Sequence, residues 1–352
     1  MSLHLRWLKC ALSESRLKIG ALRMPNLEYL IFEMTMCSRY AENLGKVMTL
    51  PAEPEFTAID LFAGCGGLSL GFESAGIQTI GYERNTDCCN TYKANLHSDC
   101  HQTTITPQTI FPAAEIVIGG PPCQPFSRRG KQTGKEDERN GFPTFISAIR
   151  RLRPKIWVCE NVKGLPEQNA EYYKAITDEL ASFGYIVEAR VVQLVKYGVP
   201  QNRERLVIVG HHGGFNFPEP MAHKVTAGEA LGELAYEIPR DAVFLTPEQD
   251  EYIAKYERAS KCKVPRDLHL DRPARTLTCR NLAGATSDMH RIRLPDGRRR
   301  RITVREAARL QSFPDWFKFH GTTESQFTQI GNAVPPLFAR ALASAVVRYL
   351  KK

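Results

Sequence analysis

The 352-residue chain lacks the features that mark disulfide-rich, zinc-binding and membrane-spanning proteins. Its ten cysteines include no C-x-x-C pair and follow no regular spacing, which argues against a zinc site and against a disulfide framework. No segment resembles a secretory signal, and no hydrophobic run approaches the length of a membrane span. Internal repeats and low-complexity tracts are also missing. We therefore expect a reduced, soluble, cytoplasmic protein without a bound metal.

Positive charge, by contrast, is abundant and concentrated in one stretch. The chain has a net charge of +9 and an isoelectric point of about 9.0. Residues 263–309 hold thirteen basic residues against five acids, so this stretch alone is net +8. Twelve of the thirteen are arginines, whose guanidinium groups bind phosphates and guanine edges. A solvated charged surface is the alternative interpretation, but the arginine content favours a surface for nucleic acid.

Apolar runs typical of strands alternate with helical segments between residues 56 and 210. The runs that we interpret as strands are FTAIDLF, IQTIGYE, EIVIGG, IWVCE, YIVEARVVQLV and RLVIVG. Alternation of strand and helix is the pattern of a sheet with helices on both faces. The sequence therefore predicts an α/β fold with a doubly wound, mostly parallel, Rossmann-like sheet.

A glycine-rich segment, DLFAGCGGLSLGF, joins the first strand to the first helix of this pattern. Its glycines at positions 64, 66, 67 and 71 miss the strict dinucleotide motif G-x-G-x-x-G, because Ser69 stands in the third place. Such a turn brings backbone N–H groups to a ligand at the helix N-terminus, although an ordinary tight turn would look similar. Glu83 ends the following strand, where an acid can accept hydrogen bonds from both hydroxyls of a ribose. The pair predicts a cofactor that contains adenosine.

The segment GGPPCQPFS fixes a single thiol, Cys123, between prolines directly after a strand. A rigid position at the carboxyl end of a central strand suits a nucleophile, and the thiolate is strongly nucleophilic. Glu160 ends the next strand, so we expect it at the same edge of the sheet. Arg203 and Arg205 stand two apart where a strand begins, which predicts that their side chains share one face. A thiol with a carboxylic acid suits attack on an electron-poor ring that is protonated as it is attacked.

Six motifs in one order resemble the motif series of the C5-cytosine DNA methyltransferases of the bacterial type. They are DLFAGCGGLSLGF, GGPPCQPFS, ENV, QNRERLVIVG, VREAARLQSFPD and GNAVPP. The resemblance covers about residues 56–348, apart from the segment between about 211 and 270. It implies S-adenosyl-L-methionine as methyl donor, S-adenosyl-L-homocysteine as product, no metal, and a target cytosine flipped out of duplex DNA.

The resemblance also implies a division of the chain. Residues 1–54 would be an N-terminal extension of unknown role, and residues 55–210 the catalytic and donor-binding domain. A target-recognition domain would occupy residues 211–302, where the basic surplus begins. Residues 303–352 would return to the catalytic domain.

Roles for the site residues follow from the same resemblance. Cys123 would add to C6 of the flipped base, and Glu160 would bind and protonate N3. Arg205 would hold O2, with Arg203 supporting the site. The donor pocket would be formed by Phe62, Gly64, Gly66, Glu83, Asn332 and Ala333.

Two departures from the family pattern stand in this chain. The acid that contacts the adenine amine has no ungapped counterpart, so that contact stays unassigned. Arg84 stands where many members place a bulky apolar residue.

The segment RIRLPDGRRRRIT predicts a hairpin around Pro295, Asp296 and Gly297, with arginines alternating along both arms. We expect its arginines to contact DNA. They are Arg291, Arg293, Arg298, Arg299, Arg300 and Arg301.

The leading hypothesis is a monomeric cytosine-5 DNA methyltransferase that acts in the bacterial nucleoid. It would belong to a restriction–modification system, with a cognate endonuclease acting on the same site, or be an orphan relative. The related tRNA C5 methyltransferases stay an alternative, although the chain lacks their Cys-Phe-Thr tripeptide. A non-catalytic DNA-binding regulator on the same fold would have no use for Cys123, Glu160 and Arg205 together. A nicotinamide dehydrogenase would leave Cys123 and the arginine pair without a function.

Overall fold

A computed structural model of the chain describes residues 39–122, 140–240, 242–261, 266–284 and 288–352. Cys123 and residues 1–38 of the predicted extension lie outside this described part.

Seven strands of the described part form one mixed sheet that positions the site. Their order across the sheet is β3-β2-β1-β4-β5-β8-β6, and β8 runs antiparallel to both of its neighbours while the other paired strands are parallel. This arrangement confirms the predicted fold class. The strands of this sheet are β1 Phe56–Leu61, β2 Ile77–Glu83, β3 Cys100–Gln102, β4 Ile116–Gly119, β5 Ile156–Val162, β6 Ile186–Gln193 and β8 Glu204–His211. The short strand β7, Gln201–Asn202, lies between β6 and β8 in the chain and is not part of the sheet.

The central strands are buried on both faces because helices cover the sheet from both sides. All four residues of β4 are buried, as expected for a strand in the middle of a parallel sheet. Two hydrophobic clusters result, one on each face. The helices are α1 Tyr40–Val47, α2 Gly67–Glu73, α3 Thr86–Asn95, α4 Phe142–Leu152, α5 Gly164–Gln168, α6 Ala170–Ser182, α7 Ala227–Leu231, α8 Pro247–Ala259, α9 Cys279–Ala283, α10 Val304–Leu310, α11 Thr323–Asn332 and α12 Pro336–Leu350.

Helix α1 joins the end of the N-terminal extension to the body of the protein. Its residues Tyr40 and Leu44 are buried, and so is Met48, which follows the helix. The Tyr40 hydroxyl donates a hydrogen bond of 3.1 Å to the Gly198 carbonyl. Residues 40–48 therefore dock on the catalytic part of the chain.

The region after the sheet contains short elements, as the break in the sequence pattern indicates. Strand β9 (Ala274–Arg275) runs parallel to β7, so the region predicted to recognise the target pairs by backbone with the two residues that precede Arg203. Strands β10 (Arg291–Arg293) and β11 (Arg299–Arg301) form the predicted hairpin. Gly297 turns this hairpin with a φ of 88°, a value that favours glycine.

The two C-terminal helices return to the sheet. A Cβ atom at Gly71 of α2 would lie 2.4 Å from the Ala339 Cβ of α12, so only glycine permits this close packing. Residues Thr323–Leu350 are long and apolar enough to cross a membrane by composition alone, but 67% of their most apolar window is buried inside the protein. Their apolar character therefore reflects core packing.

Candidate active site

The glycine-rich turn after β1 adopts the backbone conformation that the sequence indicates. Gly64 and Gly66 have positive φ angles of 56° and 86°, and Phe62 has a φ of 61°, which is uncommon for a residue with a side chain. The Gly64 N–H donates a hydrogen bond of 3.0 Å to Oε2 of Glu83, at the end of β2. The structure thus brings four of the predicted donor-binding residues together at one edge of the sheet.

The segment GNAVPP lies directly on this turn. A Cβ atom at Gly67 would be 3.2 Å from the Ala333 Cβ and 2.5 Å from the Val334 carbonyl oxygen. Ala333 is half-buried and Asn332 is exposed. The remaining two predicted donor-binding residues therefore border the same turn. About 270 positions separate them from it in the sequence, and the fold brings them together.

These residues suit a donor that contains a ribose. A Cβ atom built on Gly64 would meet nothing within 4 Å, so the turn faces open space at the carboxyl end of the sheet. Glu83 presents a half-buried carboxylate there, with its oxygens fixed by the N–H groups of Gly64 and Asn85 at 3.0 and 2.8 Å. A carboxylate oxygen accepts more than one hydrogen bond, which leaves acceptor capacity for ribose hydroxyls.

A buried acid lies beneath the turn. Asp60 is only 1% exposed, and it accepts a hydrogen bond of 2.6 Å from the Ser69 hydroxyl. Burial raises the pKa of Asp60 to about 7, and the nearby charge of Glu83 adds to the effect while the Ser69 hydrogen bond opposes it. The protonation of Asp60 therefore changes near neutral pH.

Glu160 and Arg205 form the polar pair that the sequence predicts at the next strand ends. The Arg205 Nε atom lies 2.9 Å from Oε1 of Glu160, and the side chains are 15% and 13% exposed. Oε1 is nevertheless without a hydrogen-bond partner in the described part of the chain, so charge rather than a directed bond holds the pair. A carboxylate oxygen accepts more than one hydrogen bond, so Oε1 retains capacity for a donor on a bound ligand.

The turn that leads to Cys123 begins beside Glu160. A Cβ atom at Gly120 would lie 3.6 Å from Oε2 of Glu160. The Pro121 carbonyl accepts a hydrogen bond of 2.9 Å from the Asn161 side chain, and the Pro122 carbonyl accepts one of 2.9 Å from the Gly141 N–H. The chain is therefore fixed up to the residue before Cys123, which itself lies outside the described residues.

A cavity of about 450 Å³ opens next to this pair, between the sheet and the recognition region. Its volume is in the range of small-molecule sites and exceeds what one nucleobase needs. The sheet side and the recognition side both contribute to its wall. The lining residues are Val162, Lys163, Gln193, Val195, Asn202, Arg203, Glu204, Arg205, Lys224 and Thr276.

Arg203 has different partners from Arg205. Its side chain is 1% exposed and donates hydrogen bonds to the carbonyl oxygens of Leu277, Gly331 and Ala333. Burial lowers the pKa of Arg203 to about 9, and the charge of Arg205 acts in the same direction. Arg203 thus borders the cavity while its guanidinium binds backbone of two other segments.

Gln201 and Gln311 also belong to this site, although neither was among the residues predicted from the sequence. Both side chains are fully buried and hydrogen-bonded to each other, and Gln201 also binds the Leu277 N–H at 3.0 Å. Each lies inside a quoted motif, QNRERLVIVG or VREAARLQSFPD. The available signal in the sequence was a polar amide side chain next to apolar residues that are buried.

The arginine hairpin is the place where the structure differs most from the prediction. Arg291 and Arg300 are 0% exposed. Arg291 pairs with Asp267 and Glu257, and Arg300 forms a two-pronged pair with Glu306. These two arginines lie in the interior and do not form part of a DNA-facing surface, because acids neutralise them there. The partners of Arg291 come from 24 and 34 positions away, and the partner of Arg300 from six.

The other four hairpin arginines divide into two kinds. Arg299 is half-buried between Asp250 and Asp267, and Arg301 donates to the Leu282 and Ala283 carbonyls. Arg293 and Arg298 are exposed. Arg298 pairs with the exposed Asp296, a contact of the kind that contributes little to stability. Arg293 and Arg298 are therefore the hairpin arginines available to a partner.

Known proteins resemble the chain over most of its length. The family model described as "C-5 cytosine-specific DNA methylase" matches residues 56–348. The Type II methyltransferase M.AplI of Arthrospira platensis is 53% identical over 312 residues, which are 87% of this chain and 90% of the relative. The Type II methyltransferase M1.HphI of Haemophilus parahaemolyticus is 36% identical over 331 residues, or 83% and 87% of the two chains.

A solved structure agrees at the level of the fold. The Entamoeba histolytica methyltransferase EhMeth superposes with a TM-score of 0.67 at 17% identity, covering 85% of this chain and all of that one. The family match spans both the glycine turn and the Glu160–Arg205 pair described above. The chain therefore belongs to the C-5 cytosine-specific DNA methylase family and is a DNA cytosine-5-methyltransferase.

Proposed function

We propose that the chain methylates one cytosine of a specific duplex sequence through a covalent adduct with Cys123, after that cytosine has been flipped out of the helix. The observation that carries the proposal is the Glu160–Arg205 pair at 2.9 Å, beside the turn that ends at Pro122. Cys123 follows Pro122 directly. In this proposal the nucleophile, the acid and the cation share one strand-end site, and the cavity beside Arg205 would admit the base.

Each of these residues has a task in the addition step. The Cys123 thiolate forms a bond to C6 of the cytosine, and Glu160, which enters this step as the carboxylic acid, gives its proton to N3 as negative charge develops there. Arg205 binds O2 and stabilises the same charge. These changes make C5 nucleophilic. After methylation, loss of the C5 proton to a base expels the Cys123 thiolate. N3 returns its proton to Glu160, and the neutral aromatic ring is restored.

The donor site fits S-adenosyl-L-methionine, which supplies an electrophilic methyl group when bound. The glycine turn at Gly64 and Gly66 would receive the donor, with Phe62 against it. Glu83 would accept hydrogen bonds from the ribose, and Asn332 and Ala333 would close the site. The open space in front of Gly64 and the fixed carboxylate of Glu83 support this placement.

The relatives support a role in restriction–modification, since both of those named above are called Type II methyltransferases. We propose that the chain acts as a monomer on bacterial DNA in the cytoplasm and protects a site that a cognate endonuclease cuts. The exposed Arg293 and Arg298 of the hairpin would contact the duplex.

Bisulfite sequencing tests the proposal. A plasmid incubated with the protein and S-adenosyl-L-methionine should contain cytosines that resist conversion, all within one short sequence. The same plasmid treated with a Glu160→Gln variant serves as the matched control. Complete conversion of every cytosine in the treated plasmid would exclude this activity.

A further inference from the structure

Three buried polar side chains lie between the recognition region and the segment that closes the donor site. They are Gln201, Arg203 and Gln311, and we call them the Gln–Arg–Gln cluster. Each is at most 1% exposed. Polar side chains buried in a protein core need hydrogen-bond partners to offset the cost of their desolvation, so the partners of this cluster indicate what it holds in place.

Toward the recognition region, the cluster forms hydrogen bonds with both backbone polar groups of Leu277. The Leu277 N–H donates to Oε1 of Gln201 at 3.0 Å, and the Leu277 carbonyl accepts from Arg203 at 2.7 Å. The preceding residue, Thr276, lines the same cavity as Arg205 and donates a hydrogen bond from its hydroxyl to the Asn202 carbonyl. The cluster therefore fixes the wall that the recognition region contributes to the base cavity.

On the donor side, the cluster holds the residue that follows Asn332. The Ala333 carbonyl accepts from Arg203 at 3.2 Å and from Gln311 at 2.7 Å. Ala333 in turn packs on Gly67 at the start of α2. One guanidinium thus binds the backbone of the base cavity at one end and of the donor site at the other.

A second observation shows that these two segments are in direct contact. A Cβ atom at Gly331 would lie 2.2 Å from the Cys279 nitrogen and 2.5 Å from the Thr278 carbonyl carbon. No side chain separates the two backbones at this point. Because packed interiors resist gradual deformation, a displacement of one segment requires a displacement of the other.

The partners of Arg203 favour a positioning role over a purely stabilising one. Its hydrogen bonds in the described part of the chain all go to backbone carbonyls. A buried cation bound only by carbonyls is a costly way to stabilise a core, and an apolar side chain would cost less. The planar fork of an arginine, however, fixes several acceptors at defined angles.

We propose that Arg203 is a positioning residue that makes donor binding and DNA binding depend on each other. It does so by holding the Leu277 and Ala333 carbonyls in one arrangement, so that filling either site favours the arrangement that the other needs. This inference rests on the proposed function, in which the donor lies at the glycine turn and the target base in the cavity. Coupling of this kind is reciprocal, because each ligand must change the affinity of the other by the same factor.

The experiment measures the dissociation constant of S-adenosyl-L-homocysteine with and without a saturating short duplex. The duplex carries the site identified by bisulfite sequencing. For the wild-type chain we expect the duplex to strengthen binding by roughly tenfold, within the usual range of allosteric coupling. The reverse titration, with the duplex as the measured ligand, should give the same factor.

Arg203→Lys keeps the charge and loses the fork, and we expect it to reduce the coupling factor to near one. Arg305→Lys is the matched control. Arg305 is partly buried and, like Arg203, donates hydrogen bonds to backbone carbonyls, those of Pro314 and Phe317 at 3.1 and 2.8 Å. It does not join the two sites. This control should keep the wild-type factor. Gln311→Met, which removes one of the two donors to Ala333, should give an intermediate factor and carries the test if Arg203→Lys does not fold.

Two results would overturn the proposal and leave the methyltransferase assignment intact. One is a wild-type chain that binds both ligands without any coupling. The other is wild-type coupling in Arg203→Lys and Gln311→Met. A wild-type chain that binds neither S-adenosyl-L-homocysteine nor the duplex would overturn both the inference and the proposed function.

Discussion

The Arg205 Nε atom lies 2.9 Å from Oε1 of Glu160, and both side chains are largely buried. Strands β5 and β8 are antiparallel, with Glu160 opposite Val207 and Arg205 opposite Val162, so the two residues are diagonal neighbours on adjacent strands. The sheet itself therefore sets the separation of the pair. Because little solvent reaches the pair, its charges act strongly on a base that enters the cavity.

Glu160→Gln should lower kcat by about 10²–10⁴-fold, the usual contribution of a positioned acid. The amide keeps the size of the side chain and can still form hydrogen bonds, but it has no proton to transfer to N3. Methyl transfer from a labelled donor to a cognate duplex measures the effect. Glu188→Gln removes a carboxylate that pairs with His211 and Arg190 rather than with Arg205, so it should leave kcat unchanged. Equal kcat values for Glu160→Gln and the wild type would remove Glu160 from the mechanism.

Arg293→Ala and Arg298→Ala should weaken DNA binding, because both side chains are exposed on the hairpin. A phosphate contact would be lost equally on all duplexes and would lower the salt slope by about 0.9. A base contact would cost about 1–3 kcal/mol on the cognate site alone. Binding isotherms over a salt series, with cognate and scrambled duplexes, separate the two cases. If both variants bind both duplexes like the wild type, the DNA surface lies elsewhere in the recognition region.

Arg300→Met should lower the free energy of unfolding by about 3–5 kcal/mol, because it leaves the buried carboxylate of Glu306 without its partner. Arg300 and Glu306 are 0% and 1% exposed and are joined by contacts of 2.9 and 2.7 Å. Arg293→Met, on the facing strand of the hairpin and exposed, should change stability by less than about 0.5 kcal/mol. Urea unfolding followed by circular dichroism compares the two variants. Similar values for both would contradict the structural role assigned to Arg300.

The stability of the protein should depend on the ionisation of Asp60. Its pKa is raised to about 7 in the folded state and is about 3.9 when unfolded, so the folded state holds the extra proton between these values. The contribution of Asp60 to the free energy of unfolding therefore falls as the pH rises towards 7, and it is lowest at high pH. Asp60→Asn, which is neutral and still accepts from Ser69, should gain stability relative to the wild type from pH 5 to pH 7, with little further change at pH 8.

Urea unfolding at these pH values gives the difference between the two proteins directly. Asp178→Asn, at an exposed position, controls for the loss of one surface charge. A constant difference between Asp60→Asn and the wild type across this range would show that Asp60 does not titrate there.

Much of the sheet and of the chemistry was predictable because their signals are local. Strand β4 lies within EIVIGG, one of the apolar runs interpreted as strands from the sequence. Glu160 and Arg205 meet because β8 runs antiparallel to β5, which brings the start of β8 to the edge where β5 ends. The alternation of strands and helices predicts parallel neighbours and does not indicate this reversal.

The burial of Arg291 and the partners of Arg203 were not predictable, because the groups that bind these two side chains come from distant positions in the sequence. Alternation along the hairpin places Arg291 and Arg293 on one face, yet Arg291 is buried and Arg293 is exposed. The difference arises from Glu257 and Asp267, which reach Arg291 only in the folded chain. Arg203 shows the same limit. Its spacing from Arg205 indicated a shared face, but the carbonyls of Leu277 and Ala333 determine where its guanidinium lies.

The central claim is that Cys123 forms a covalent bond to the target base, and a duplex with 5-fluorocytosine at the methylated position tests it most directly. Fluorine cannot leave as a cation, so the reaction should stop after methyl transfer with the protein still bound to C6. Cys123→Ser removes the nucleophile, because a hydroxyl is far less acidic than a thiol. Cys88→Ser, at a half-buried position on α3, controls for the loss of a thiol.

The measurement is a denaturing gel of the protein incubated with this duplex and S-adenosyl-L-methionine. We expect a DNA-linked band for the wild type and for Cys88→Ser, and none for Cys123→Ser. Absence of the band with the wild-type protein, or its presence with Cys123→Ser, would rule out a covalent bond between Cys123 and the base.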